Sequence, residues 1–368
     1  MQTNGTFSQE SVPFFLPLFK SCRFEYNPKN FSSGVSMRIL TRSDVEHAIS
    51  MRDAIATMKD AFAQLSDNET IVPLRLNIPI EKYNGIGLFM PAYLKKSEAL
   101  AIKIVGVHYN NPAPGLPLIH AVVVALDAET GRALALIEGS SVTAIRTAAG
   151  AGAATDFLAR HDARIAVVFG AGVQGRTALQ ALSTARHLET IYLFSRTFDK
   201  ANALANELRG RGDVPNDLRV LENSPENIAR AVRAADIIYC ATTSAEPLFN
   251  GNDVKAGTHV NAVGTFTHDR REVDTAFVQR CNKIVVDAYS GALAEAGDLL
   301  IPMEEGAISE ASIYAELGEI SGGRKAGRTR DDEITFFKSV GNAVQDAALA
   351  QAILKRAEEL NLGTQIEL

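Results

Sequence analysis

The stretch "RIAVVFGAGVQGRT", Arg164–Thr177, decides the fold. Its first half reads as a buried strand, Ile165–Gly170. Its second half is a Gly-x-Gly-x-x-Gly turn made by Gly170, Gly172 and Gly175. In such a turn the first glycine permits the tight bend, the second lets the backbone approach a pyrophosphate, and the third lets helix and strand pack closely. Val173 and Gln174 complete the turn, and the helix that starts there offers N–H groups and its dipole to phosphates. The plainer alternative is a tight strand-to-helix turn with no ligand.

Outward from this turn, strands and helices alternate. The strands are Ile191–Ser195, Arg219–Leu221, Ile237–Ala241, Val260–Gly264 and Ile284–Ala288. The helices are Gln174–Ala185, Lys200–Arg209, Pro225–Ala235 and Arg271–Arg280. Continuous apolar strands with crossover helices predict an α/β fold with a Rossmann-type parallel sheet covered on both faces. Thr242 and Val263, at the ends of two of these strands, complete the candidate cofactor set.

The second strand ends "YLFSRT". A site for NAD usually places Asp or Glu there to hold the ribose hydroxyls. Ser195, Arg196 and Thr197 stand there instead. A guanidinium pairs with a 2′-phosphate and the hydroxyls can donate to it, so the expected cofactor is NADPH rather than NADH. The alternative is a solvated Arg196, with Asp199 on the ribose.

The region before the turn differs. Helical spacing runs from Ser43 to about Leu65. Strand-like runs follow, "IVPLRLNIPI", "GIGLFMPAYL", "ALAIKIVGVHY" and "LPLIHAVVVALD", then "DAETGR" as a hairpin turn into "ALALIEG": an antiparallel meander. The Ala-rich "SSVTAIRTAAGAGAATDFLA" predicts a helix capped by Ser140 or Ser141. At the far end, "DDEITFFKSVGNAVQDAALAQAILKRAEEL" predicts a short strand and a long helix that return to the first domain. The expected division is an N-terminal extension over 1–36, a first domain over 37–150, the dinucleotide domain over 151–315, and a return over 316–368.

The chain has 368 residues, 46% hydrophobic and 22% charged, with a net charge of −6. That charge gives no support for a nucleic-acid or anionic-membrane partner. Cys22, Cys240 and Cys281 form no CxxC and no disulfide framework, so a reducing cytoplasm is the expected setting and no metal is expected. "VPFFLPLF" (Val12–Phe19) is apolar but short, broken by prolines, and no Lys or Arg precedes it. It reads as part of a disordered extension rather than a targeting signal, with Met37 opening the folded chain.

Three cations sit in apolar company: Arg75 in "VPLRLNIPI", Lys103 in "ALAIKIVGVHY" and Arg146 in "VTAIRTAAGAG". No acid lies near any of them in sequence. Buried charges need partners, and unpaired cations facing a cleft would suit a small carboxylate. Solvent-facing charges on half-exposed elements would also explain each one singly. His120, on a neighbouring strand, reads as a satisfied core histidine or a weaker candidate acid.

Together these motifs resemble the ornithine cyclodeaminase/mu-crystallin family. The matching segments are "MPAY", "ALAIKIV", "GLPLIHAVVVALDAETGRALALIEGSSVTAIRTAA", "GAGVQG", "NAVG", "AGDLL", "AELGEI" and "FKSVGNAVQD". The resemblance implies a homodimer, with a dimerisation and substrate domain built from both chain ends around the dinucleotide domain. It also implies that the family's carboxylate-binding and catalytic cations fall on Arg75, Lys103 and Arg146; Arg75 and Arg146 are expected on the carboxylate, and Lys103 either gives the imine its proton or adds to carboxylate binding. Ornithine-converting members carry an Asp after "NAVG" and a Glu before "MP"; Phe266 and Leu88 fall there. An ammonium buried beside Phe and Leu would go unpaired. The expected activity is therefore NADPH-dependent reduction of cyclic ketimines: 1-pyrroline-2-carboxylate to L-proline, and 1-piperideine-2-carboxylate to L-pipecolate. The alternatives are an alanine-type amino-acid dehydrogenase, ornithine cyclodeamination, or a non-catalytic small-ligand-binding protein.

Overall fold

The computed structural model describes residues 36–367, apart from Pro112 and Pro114. The readings of Val12–Phe19 and of Cys22 lie outside the described residues. Ser36, assigned above to the extension, already lies in a strand.

The chain begins with β1 (Ser36–Leu40), α1 (Arg42–Ala48) and α2 (Met51–Ser66). The helical pattern over Ser43–Leu65 is divided between these two helices. Ile49 is extended, and Ser50 caps α2 by accepting from Asp53 N at 3.1 Å. Then come β2 (Thr70–Ile71), β3 (Leu76–Ile80), β4 (Gly85–Leu94), β5 (Ala99–His108), β6 (Ile119–Leu126), β7 (Ala133–Glu138) and α3 (Gly139–Leu158). Neither expected serine caps α3. Glu138 does, accepting from Ser140 N and Ser141 N at 3.0 and 2.9 Å, because a carboxylate just before the first turn reaches two free N–H groups at once.

The dinucleotide lobe follows: β8 (Ile165–Phe169), α4 (Val173–Ala185), β9 (Thr190–Phe194), α5 (Phe198–Leu208), β10 (Asp217–Val220), α6 (Pro225–Ala234), β11 (Ile237–Cys240), β12 (His259–Ala262), α7 (Thr275–Arg280), β13 (Lys283–Val286), α8 (Tyr289–Glu295), α9 (Gly297–Glu304), β14 (Ile313–Glu316), α10 (Leu317–Ser321) and β15 (Thr335–Lys338). The chain ends with α11 (Ala343–Glu359) and β16 (Thr364–Glu367). The helix expected from Arg271 starts four residues later, where Asp274 caps it through Phe277 N.

The described residues form two eight-stranded sheets. In the first, β4 to β7 form the expected antiparallel meander, extended by β1 parallel to β7 and by β16 antiparallel to β1. The second is parallel throughout, in the order β10-β9-β8-β11-β12-β15-β13-β14. Its strand order reverses between β8 and β11. That switch point is where such sheets bind ligands, beyond the carboxyl ends of the strands.

The expected domain limits differ from this arrangement at two places. Position 150/151 falls inside α3, one continuous helix. And β15, placed above in the returning tail, lies inside the second sheet between β12 and β13. All four residues of β15 are buried, and a fully buried strand needs a neighbour on each edge and cover on each face. The return to the first sheet is made by α11, which packs on α2, β4 and β5.

Candidate functional site

The glycine turn has the geometry its spacing predicts. Gly170 takes a φ of +113°, and a Cβ there would lie 2.4 Å from Ala241 O. A Cβ on Gly175 would lie 2.0 Å from Gly170 O, so only glycine lets α4 close onto the turn. A Cβ on Gly172 would meet nothing within 4 Å; its backbone borders open space. Helix α4 starts at Val173 with no side-chain cap, so its first N–H groups are free for an anion.

A cleft of about 290 Å³ opens at this switch point. Gly170, Gly172, Ser195, Arg196, Thr197 and Thr242 all line it. Val173, Gln174 and Gly175 continue from the turn into the helix. Val173 is exposed, and the side-chain oxygen of Gln174 is buried without a partner. Val263 follows β12, its N–H bonded to Cys240 O. The free helix terminus, the glycine cradle and the orphaned Gln174 oxygen fit a dinucleotide. Arg196 borders the cleft, and no carboxylate is among its lining residues.

Buried acids that the sequence reading missed shape the loops at the sheet's carboxyl end. Glu272 accepts from Thr242 N, Thr242 Oγ1 and Gly264 N at 2.6, 2.8 and 2.7 Å. Burial pushes its carboxyl up to about 7, against the pull of Lys338. Asp298 accepts from the backbone N–H groups of Glu272 and Val273 and from Thr265 Oγ1, and it pairs with Lys338 at 2.6 Å. Asp287 holds Ser339 Oγ, Val340 N and Gly341 N. Glu272 thus ties the loop that carries Thr242 to the one that follows Val263, Asp298 holds that second loop against the end of β15, and Asp287 holds the segment that leads into α11.

The first lobe supplies the cations. Lys103 lies on the face of β5 that packs inward, opposite Met90 of β4 and Val123 of β6. Leu88, two residues before Met90, shares that face. Lys103 is 3% exposed, and its Nζ is 2.6 Å from Asp346 Oδ2. On α3, Arg146 donates from Nε to Asp346 Oδ1 at 3.2 Å and from Nη1 to Gln345 Oε1 at 3.0 Å. Thr143, one turn earlier, lies 3.5 Å from Lys103 Nζ. Gly341 presses against the Arg146 guanidinium: a Cβ there would lie 2.8 and 2.9 Å from its two Nη atoms. Arg75 donates from Nη2 to Glu295, the last residue of α8.

These contacts correct the picture of unpaired cations. All three have carboxylate partners, supplied by tertiary contacts some 200 residues away in the chain. Burial lowers the Lys103 ammonium to about 8, opposed by Asp346 and reinforced by Arg146 and Arg75. Both arginines are thus within electrostatic reach of Lys103. With Lys103 protonated, three positive charges face two negative ones, Asp346 and Glu295, which leaves room for one anion.

Two further expectations change. His120 is neither core nor candidate acid: it is exposed, opposite Gly106, on the sheet face away from Lys103, because residues an odd number apart on a strand point to opposite sides. Phe266 lies in the loop after β12 and is 42% exposed, so it belongs to the other lobe from Leu88. Asp298 and Asp346 stood in quoted segments, "AGDLL" and "FKSVGNAVQD". Glu295 and Glu272 carried no signal in the sequence.

Comparison with known proteins agrees with this architecture. The sequence model of the ornithine cyclodeaminase/mu-crystallin family matches residues 35–361. A Delta(1)-pyrroline-2-carboxylate reductase of Bacillus cereus is 37% identical over 331 residues, covering 90% of this chain and 100% of that protein. The structure of Thermococcus litoralis Delta(1)-pyrroline-2-carboxylate reductase, in complex with NADH and L-proline, superposes with a TM-score of 0.84 at 42% identity. It covers 90% of this chain and 100% of the other. An archaeal alanine dehydrogenase dimer with bound NAD superposes with a TM-score of 0.82 at 29% identity, covering 90% and 99%.

Proposed function

The chain belongs to the ornithine cyclodeaminase/mu-crystallin family, and on that premise we propose that it reduces 1-pyrroline-2-carboxylate to L-proline and 1-piperideine-2-carboxylate to L-pipecolate. The observation that carries this reading is the charge balance of the buried site: three cations against two carboxylates. A cyclic imino acid brings one carboxylate and restores neutrality. A diamino acid would bring a further ammonium to a site already positive, beside Leu88 rather than an acid.

In this reading Arg146 and Arg75 hold the substrate carboxylate. Nε and one Nη1 bond of Arg146 are committed to Asp346 and Gln345, so its Nη2 edge remains for the substrate. That hold orients the ring, a positioning effect. When bound at the glycine turn, a reduced nicotinamide supplies the hydride that the imine carbon accepts. Lys103 delivers the proton to the ring nitrogen: with its ammonium lowered to about 8, it is both protonated at neutral pH and able to give the proton up. Leu88 and Phe266 contribute apolar surface on either side of the ring.

We assign NADPH as the preferred cofactor, because Ser195, Arg196 and Thr197 border the cleft where a ribose carboxylate would otherwise sit. The Thermococcus relative was solved with NADH, so the preference is a property of this chain to be measured. We also infer a homodimer. The outer face of the first sheet presents Leu100, Ile102, Ile104, Val122, Val124 and Leu136, all partly exposed, while among the described residues α3 and α11 pack on the inner face. A wide apolar sheet face of this kind calls for a second copy, and an archaeal relative was solved as a dimer. Among the described residues no helix is long and apolar enough to cross a membrane.

The test is NADPH oxidation with 1-pyrroline-2-carboxylate, run beside NADH and beside pyruvate plus ammonia. Fast oxidation without ammonia is expected. Oxidation only with pyruvate and ammonia would move the protein to the amino-acid dehydrogenases. Cofactor binding without turnover would leave cyclodeamination, read by proline formed from ornithine, or a binding role.

A further inference from the structure

The pair Arg75–Glu295 joins the two lobes. Arg75 lies between β2 and β3, at the edge of the first sheet. Glu295 closes α8, directly beyond β13 of the second. Glu295 is the only side-chain partner of Arg75 among the described residues. Both side chains are largely covered, 20% and 30% exposed. Burial holds the Glu295 carboxyl above the usual range, and the Arg75 guanidinium pulls it back.

An arginine presents five N–H donors in a rigid planar fork on a flexible stem. One Nη2 bond to Glu295 leaves the other donors free and removes most of the stem's freedom. A fork already fixed loses less entropy when a carboxylate arrives, and it holds that carboxylate at a set distance. Because Glu295 stands on the dinucleotide lobe, that distance is measured from the carboxyl ends of the second sheet, where the glycine turn lies.

We propose that Glu295 is a positioning residue: it holds the Arg75 fork from the dinucleotide lobe, so that the substrate carboxylate bound by the first lobe is registered against the cofactor. This rests on the assignment of Arg75 to the substrate carboxylate.

The experiment is L-proline binding by calorimetry to the protein loaded with NADPH, with KM and kcat for 1-pyrroline-2-carboxylate measured alongside. The chains compared are wild type, Glu295→Ala, Glu295→Gln, Arg75→Ala and the double variant Arg75→Ala/Glu295→Ala. Glu295→Ala is expected to weaken L-proline about tenfold and to raise KM more than it lowers kcat. Glu295→Gln should recover most of the loss, since its amide oxygen accepts the same N–H. The double variant should bind no more weakly than Arg75→Ala. Additive losses, or unchanged or tighter binding in Glu295→Ala when Arg75→Ala weakens it, would overturn the proposal. If Arg75→Ala itself binds L-proline as well as wild type, the carboxylate assignment fails and the role of Glu295 fails with it.

Discussion

Lys103 Nζ lies 2.6 Å from Asp346 Oδ2, with both side chains almost wholly withdrawn from solvent. The same carboxylate accepts from Arg146 Nε. One acid on α11 therefore favours the ammonium form of a lysine on β5, against its burial, and holds an arginine on α3.

The lowered Lys103 ammonium gives the reaction a basic limb. If Lys103 is the proton donor, kcat/KM falls as pH rises through about 8, because the ammonium form of the free protein is lost there. Lys103→Arg keeps a cation beside Asp346 but cannot release a proton, so kcat should drop roughly 10²–10⁴-fold with KM little changed. Retained kcat in that variant would assign Lys103 to carboxylate binding alone. Stability carries a matching signature. Between about 8 and the ordinary 10.5 the unfolded chain binds more protons than the folded one, so the Lys103 contribution to stability rises with pH across that window.

Arg146→Ala removes a charged hold on the substrate and leaves Asp346 with one partner. The loss on binding is about 2–5 kcal/mol, read as a KM raised by orders of magnitude. Steady-state kinetics on a variant shown to be folded checks it, and an unchanged KM would remove Arg146 from the substrate. Gly341→Ala should act in the same direction more weakly, since its Cβ would push the guanidinium aside.

On the proposed preference for NADPH, cofactor choice should turn on Arg196. Loss of a charge-assisted bond to a 2′-phosphate costs about 1.5–3 kcal/mol. Arg196→Ala should therefore lower kcat/KM for NADPH roughly 10–100-fold and leave NADH nearly untouched. Equal losses with both cofactors would place Arg196 elsewhere than on the 2′-phosphate.

The apolar sheet face predicts assembly. Val124→Lys places a charge at its centre without touching the buried face of β6, where Val123 and Ala125 pack. Sedimentation should then report a monomer where the wild-type chain sediments as a dimer. A wild-type monomer would overturn the inference.

Much of this protein is legible in one dimension. The glycine turn, the alternation of buried strands with crossover helices and the antiparallel meander are all periodic or local, and local signals survive in sequence. Gly170, Gly172 and Gly175 could be assigned because their reasons lie within a few residues of each. The same is true of Ser195–Thr197, which follow the second strand directly. Lys103 and Arg146 could be singled out as charges in apolar company, a local contradiction.

Their resolution is not local. Asp346 and Glu295 reach the cations only because α11 folds back across the first sheet and α8 crosses to its edge, and nothing near Lys103, Arg146 or Arg75 in sequence announces either acid. The place of β15 inside the second sheet and the exposure of His120 likewise depend on register and sheet order. The sequence by itself marked three cations in apolar company; the tertiary structure decided which charges are buried and what neutralises them, because a low-dielectric interior admits a charge only beside a partner, and that partner can come from anywhere along the chain.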